Sequence, residues 1–88
     1  MNIKVLKFSQ SHCPPCRILS NILINQQDIR DIDTRLEPEL TKEYNIKSTP
    51  TLVFLKDDKE VHRSSGTIPL STYLEIIDEI KFSKELNN

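Results

Sequence analysis

Two adjacent prolines, Pro14 and Pro15, stand between the chain's only two cysteines, in the stretch SQSHCPPCR at residues 9–17. Proline locks φ and carries no N–H, so it fits a helix only in the first turn, where that N–H would have no partner. The pair therefore marks a helix start. Beyond it Cys16, Leu19, Ile22 and Leu23 fall on one helical face, with Ile18 at its edge. This places Cys13 at a helix N-terminus and Cys16 one turn in, facing the core. Ile3 to Phe8, IKVLKF, reads as a strand, and Ser9 to His12 as the polar loop leading to Cys13.

The remaining elements follow from periodicity and punctuation. Asp28 to Asp33 reads as a short strand. Leu36, Leu40 and Tyr44 repeat every four residues, with Pro38 suited to a first turn and Asn45 to a left-handed stop. Thr51 to Leu55, TLVFL, is a buried strand. Lys56 to Lys59 forms a polar turn into a strand from Glu60 to Ser65 with one exposed face, closed by Gly66, the only glycine. Leu70, Tyr73, Leu74, Ile77 and Ile80 mark a last amphipathic helix to about Phe82, with a frayed tail from about residue 83. The predicted fold is α/β, in the order β-α-β-α-β-β-α. A right-handed crossover makes the first two strands parallel, the hairpin adds two antiparallel ones, and three helices flank this four-stranded mixed sheet.

With 88 residues there is room for one domain, residues 1–88. Twelve basic residues against 13 acidic ones, scattered along the chain, provide no footprint for nucleic acid. The longest apolar run is too short to span a bilayer, and the first ten residues lack the apolar stretch of a secretory leader. The expectation is a cytoplasmic monomer, with no nucleic-acid or membrane partner. In that compartment a disulfide is transient chemistry rather than a permanent staple.

The cysteine spacing admits several readings. Structural zinc needs four ligands, but only His12 and His62 remain, and His12 is adjacent to Cys13. An inert buried pair explains Cys16 but not Cys13 at a proline-marked helix start. A redox dithiol explains both. The helix N-terminus favours a thiolate at Cys13, with the Cys16 N–H the nearest donor. Protonated His12 could add charge. Cys13 would attack a disulfide and Cys16 would resolve the mixed disulfide. The expected cofactor is none beyond the Cys13–Cys16 disulfide itself.

The second motif is NIKSTPTLVFL, residues 45–55, with Pro50 directly before the apolar strand. Pro50 is either plain punctuation at a strand entry or a cis Thr49–Pro50 bond beside the cysteines, leaving the Thr49 backbone free for an incoming peptide. The joint pattern resembles the thioredoxin superfamily: an early strand, CxxC opening a helix, EYNIKSTPTLVF, a polar hairpin, then a glycine before the last helix. It covers about Val5 to Ile80. The resemblance implies a thiol–disulfide oxidoreductase with Cys13 as nucleophile, Cys16 as resolving thiol and Pro50 as cis-proline. It implies disulfide-containing proteins as substrates and a thioredoxin-reductase-type flavoenzyme as reductant.

Departures from the family pattern are informative. The strand and helix that precede the active-site strand in ordinary thioredoxins are not in this sequence, which has glutaredoxin size. Yet the glycine-aspartate segment that holds glutathione in glutaredoxins is replaced by Arg63, Ser64, Ser65 and Gly66. A protein-disulfide reductase is therefore favoured over the alternatives, a glutathione-dependent enzyme or a non-catalytic binding module. Pro14-Pro15 replaces Gly-Pro, and His12 stands where an aromatic residue precedes the first cysteine. Lys7 occupies the place of a buried aspartate proposed to take the resolving thiol's proton. Turned inward, Lys7 would favour thiolates and leave proton transfer to its neutral form or to water; the alternative is that it snorkels to the surface.

Overall fold

The structure, a computed structural model, describes residues 2–86, with side chains described through Phe82. Its elements are β1 (Ile3–Ser9), α1 (Pro14–Ile22), β2 (Ile29–Asp33), α2 (Pro38–Glu43), β3 (Thr51–Lys56), β4 (Lys59–Ser65) and α3 (Leu70–Leu86). One sheet has the order β2-β1-β3-β4. β1 runs parallel to β2 and antiparallel to β3, and β3 is antiparallel to β4. This is the expected four-stranded mixed sheet with three helices.

Both β1 and β3 are central and covered on both faces, so residues 5–8 and 51–55 are buried without a break. Alternation sorts their side chains into two cores. Val5, Leu52 and Phe54 meet Leu19, Leu23, Tyr73 and Ile80 on the side of α1 and α3. Leu6, Phe8, Val53 and Leu55 meet Ile32 on the opposite side, with Leu40, Tyr44 and Ile46 packed against them. The edge strands β2 and β4 are charged, IRDID and KEVHRSS, which discourages pairing with other chains.

Several sequence-based expectations are corrected. Leu36 lies outside α2 and is 80% exposed. The Asp33 carbonyl accepts from both the Leu36 and Glu37 N–H groups, and this turn directs Leu36 to solvent before Pro38 opens the helix. On α3 the covered face is Tyr73, Ile76, Ile77 and Ile80; Leu70 and Leu74 are exposed. The sheet meets only part of the apolar stripe. The helix also continues past Phe82 to Leu86, and the expected fraying at residues 87 and 88 lies outside the described residues.

The hairpin is tighter than the expected polar turn. Its strands run to Lys56 and from Lys59, leaving Asp57 and Asp58, both at positive φ, as a two-residue loop. Positive φ at both positions matches the right-handed twist of the strands, and aspartate tolerates it. β4 is exposed on both faces, not one. Opposite the Phe54/Leu55 step β4 carries an extra residue, Val61. That bulge brings Glu60 and Arg63, three apart, onto one side, where they pair through two bonds of 2.7 and 2.9 Å. The pairing lowers the Glu60 carboxyl pKa and raises that of the Arg63 guanidinium.

Candidate active site

Three chain segments meet where β1 ends. The first is the turn into α1. His12 adopts φ 60°, reversing the chain, and Cys13 caps the helix at φ −121°, ψ 96°. Pro14 and Pro15 fill the first turn. They contribute no N–H, so the first backbone donor of α1 is that of Cys16, which donates to the Cys13 sulfur at 3.3 Å. The two cysteines are joined as a disulfide, with Cα atoms 5.2 Å apart.

The second segment is Thr49–Pro50, whose peptide bond is cis. The Cys13 sulfur lies 3.8 Å from the Thr49 hydroxyl and 4.0 Å from its carbonyl oxygen. Pro50 is fully buried at the entry to β3. The third segment is Gly66–Thr67. The Gly66 N–H donates to the Pro50 carbonyl at 2.8 Å, and the Thr67 hydroxyl donates to the Pro15 carbonyl at 3.3 Å. Gly66 has φ +83°, a conformation that suits glycine at this turn. The cysteine turn, the cis-proline loop and the start of the last connection are thereby linked.

Cys16 faces the core at 4% exposure, as its spacing implied. Cys13 is also largely covered, at 8%. Its bond to Cys16 and the Thr49–Pro50 loop account for that cover.

Lys7 points inward. Its side chain is 7% exposed, and its ammonium pairs with Asp31 Oδ1 at 2.8 Å and donates to Ser20 Oγ. Lys7 sits opposite Asp31 in the parallel register of β1 and β2. Ser20 lies on α1 four residues after Cys16, one turn further along the helix. The cation is thus held between β2 and the helix that carries Cys16. His12 is exposed, and His62, read from sequence as solvated, sets its ring edge-on to Phe54 with centroids 5.5 Å apart. Thr67, Ser20 and Asp31 had no signal in the sequence, because their partners are distant in the chain. Among the described residues no group of three or more His, Cys, Asp or Glu side chains is placed to hold a metal ion.

A family model described as Thioredoxin matches residues 1–79. The chain belongs to the thioredoxin family. A thioredoxin of Mycoplasmoides gallisepticum is 33% identical over 79 residues, covering 83% of this chain and 79% of the relative. Thioredoxin H5 of Oryza sativa subsp. japonica is 34% identical over 68 residues, covering 70% of this chain and 50% of the relative. The chain spans about half the length of the plant thioredoxins it matches. The X-ray structure of Fasciola hepatica thioredoxin superposes with a TM-score of 0.78 at 28% identity, covering 89% of this chain and 80% of that one. The disulfide of this thioredoxin-family chain joins its only two cysteines, so any exchange chemistry it performs runs through Cys13 and Cys16.

Proposed function

We propose that this chain is a thiol–disulfide oxidoreductase that reduces disulfides in protein substrates. The observation that carries the reading is Cys13 at the N-cap of α1, its sulfur accepting the Cys16 N–H while bonded to the Cys16 sulfur. The same donor and the positive end of the helix favour a thiolate at Cys13 in the reduced protein. Each pKa unit of lowering corresponds to about 1.4 kcal/mol of preference for the anion.

The Cys13 thiolate attacks one sulfur of the substrate, the substrate S–S bond breaks, and the departing thiolate takes a proton from solvent. Cys16 loses its proton and attacks Cys13, closing the Cys13–Cys16 bond and releasing the second substrate thiol. Two electrons pass from the dithiol to the substrate. Proximity makes the second step intramolecular. Pro14 and Pro15 stiffen the turn between the sulfurs. Thr49 and Pro50 form the wall against which an incoming peptide lies, with the Thr49 backbone as its partner. Exposed His12 flanks the same opening. Lys7 has a positioning role, its Asp31-paired ammonium supplying positive charge beneath α1 that favours thiolates, and the proton leaving Cys16 goes to water.

The setting we infer is the cytoplasm, with a thioredoxin-reductase-type flavoenzyme returning the disulfide to the dithiol and the protein acting as a monomer. Insulin reduction, with dithiothreitol or such a flavoenzyme as electron source, tests the activity. The wild type should turn over and Cys13→Ser should not. Turnover that persists in the variant, or fails in the wild type, overturns the reading. A glutathione-coupled assay run alongside should be slower; a faster rate would indicate a glutathione-dependent enzyme.

A further inference from the structure

Thr49, whose hydroxyl neighbours the Cys13 sulfur, also borders a cavity of about 330 Å³. It opens between the loop ahead of Cys13, represented by Gln10, and the segment ahead of Pro50, represented by Lys47, Ser48 and Thr49, with Thr34 behind. No acidic side chain lines it. Its polar lining residues are Gln10, Thr34, Thr41, Lys47, Ser48 and Thr49, all bearing donor groups, the Thr41 hydroxyl already donating to the Glu37 carbonyl at 2.9 Å. Among the described residues the Lys47 ammonium has no ion-pair partner, whereas the Lys7 ammonium and the Arg30 and Arg63 guanidinium groups each have one. Thr49 is shared: it lines the cavity, and its hydroxyl lies 3.8 Å from the Cys13 sulfur.

We propose that this cavity is a subsite for a carboxylate carried close to the disulfide being reduced, with Lys47 as its charged anchor. The inference rests on the oxidoreductase reading and adds a substrate class to it. A group carried by the substrate sulfur joined to Cys13 and directed to the Thr49 side meets donors and the Lys47 cation there. A carboxylate a few bonds from that sulfur gains a charge-assisted contact there, whereas an ammonium meets repulsion. The carboxylate can belong to a small disulfide or to an acidic residue next to a cysteine in a protein.

The test uses pre-reduced protein in single-turnover reactions with three small disulfides of similar size: dithiodipropionate, bis(2-hydroxyethyl) disulfide and cystamine, which are dianionic, neutral and dicationic. In each, the protein dithiol becomes the Cys13–Cys16 disulfide and the probe becomes two thiols. Acid quenching, alkylation and intact mass give second-order rate constants, each divided by that of dithiothreitol with the same probe. Ratios between probes within one preparation do not depend on the fraction folded.

The wild type should favour the dianion over the dication by about tenfold at low ionic strength. Lys47→Glu should reverse the order and Lys47→Arg should keep it. Lys59→Glu, at the hairpin beyond the far end of β3, should leave it unchanged. Disulfide-linked peptides with Glu or Lys beside the cysteine form the second arm. A preference for Glu there assigns the carboxylate to protein substrates, and a preference confined to the small probes assigns it to low-mass disulfides. Equal ratios in wild type and Lys47→Glu, or an equal shift in Lys59→Glu, overturn the subsite. If insulin is still reduced, the oxidoreductase reading survives that result; inertness towards every disulfide defeats both.

Discussion

The ammonium of Lys7 lies 2.8 Å from the carboxylate of Asp31 on the neighbouring strand, one side chain almost fully buried and the other 71% exposed. The pair links the face of the sheet beneath α1 to solvent at the β2 edge. Removing the exposed partner leaves a buried cation with the Ser20 hydroxyl as its remaining contact. Removing the buried partner removes the desolvation problem as well.

Asp31→Asn should therefore destabilise the wild type by about 1 kcal/mol in urea denaturation, and by close to nothing in a Lys7→Met background. Equal losses in the two backgrounds would show that the pair is uncoupled. In the same Lys7→Met protein both cysteine titrations should move upward, as expected when a nearby positive charge is lost. Unchanged titration of both thiols would reject the positioning role of Lys7.

The cysteines should divide the reaction asymmetrically. Reduced wild type should be alkylated first at Cys13. Cys16→Ser, mixed with a disulfide-containing protein, should accumulate a covalent complex through Cys13 that dithiothreitol releases. Mass spectrometry of the complex checks this, and a bond formed in Cys13→Ser through Cys16 would reverse the assignment.

Leu19 is completely buried on α1, against the core under the sheet. Leu19→Ala should cost about 3 kcal/mol, from lost burial and the cavity left behind. Ile18, one residue earlier and 54% exposed, should cost within about 0.5 kcal/mol when truncated to alanine. Urea midpoints of the two variants measure the difference. Similar losses would mean that α1 is not docked through Leu19.

Tyr73 predicts an alkaline limit. Burial first, and the Asp28 carboxylate second, push its phenol up from 10.0 to about 12. The folded state thus prefers the neutral phenol. That contribution is complete below the ordinary value and is lost as pH rises from about 10 to about 12. Over this interval the wild type should lose on the order of 2 kcal/mol more than Tyr73→Phe. Urea denaturation at pH 9 and pH 11.5 compares them, and parallel losses would refute it.

The order of elements, the buried strand at Thr51 to Leu55 and the helix start at Cys13 could all be read from local features. Pro14-Pro15 excludes most alternatives at one helix end, and apolar runs such as TLVFL require cover on both faces. These signals act within a few residues, where sterics and backbone hydrogen bonding decide. Other features depended on contacts between distant segments. Leu36 fits the repeat of Leu40 and Tyr44, yet a turn anchored on the Asp33 carbonyl turns it outward. Nothing near Lys7 in the chain says whether it is buried; Asp31 and Ser20, brought beside it by strand register and helix docking, decide that. Thr49 reaches the Cys13 sulfur only because β1 and β3 pair side by side, which closes a separation of 36 residues. By itself the sequence determined which pieces form and where the two cysteine sulfurs sit along the chain. Tertiary structure decided which polar groups surround those sulfurs, because burial and charge pairing are set by neighbours in space.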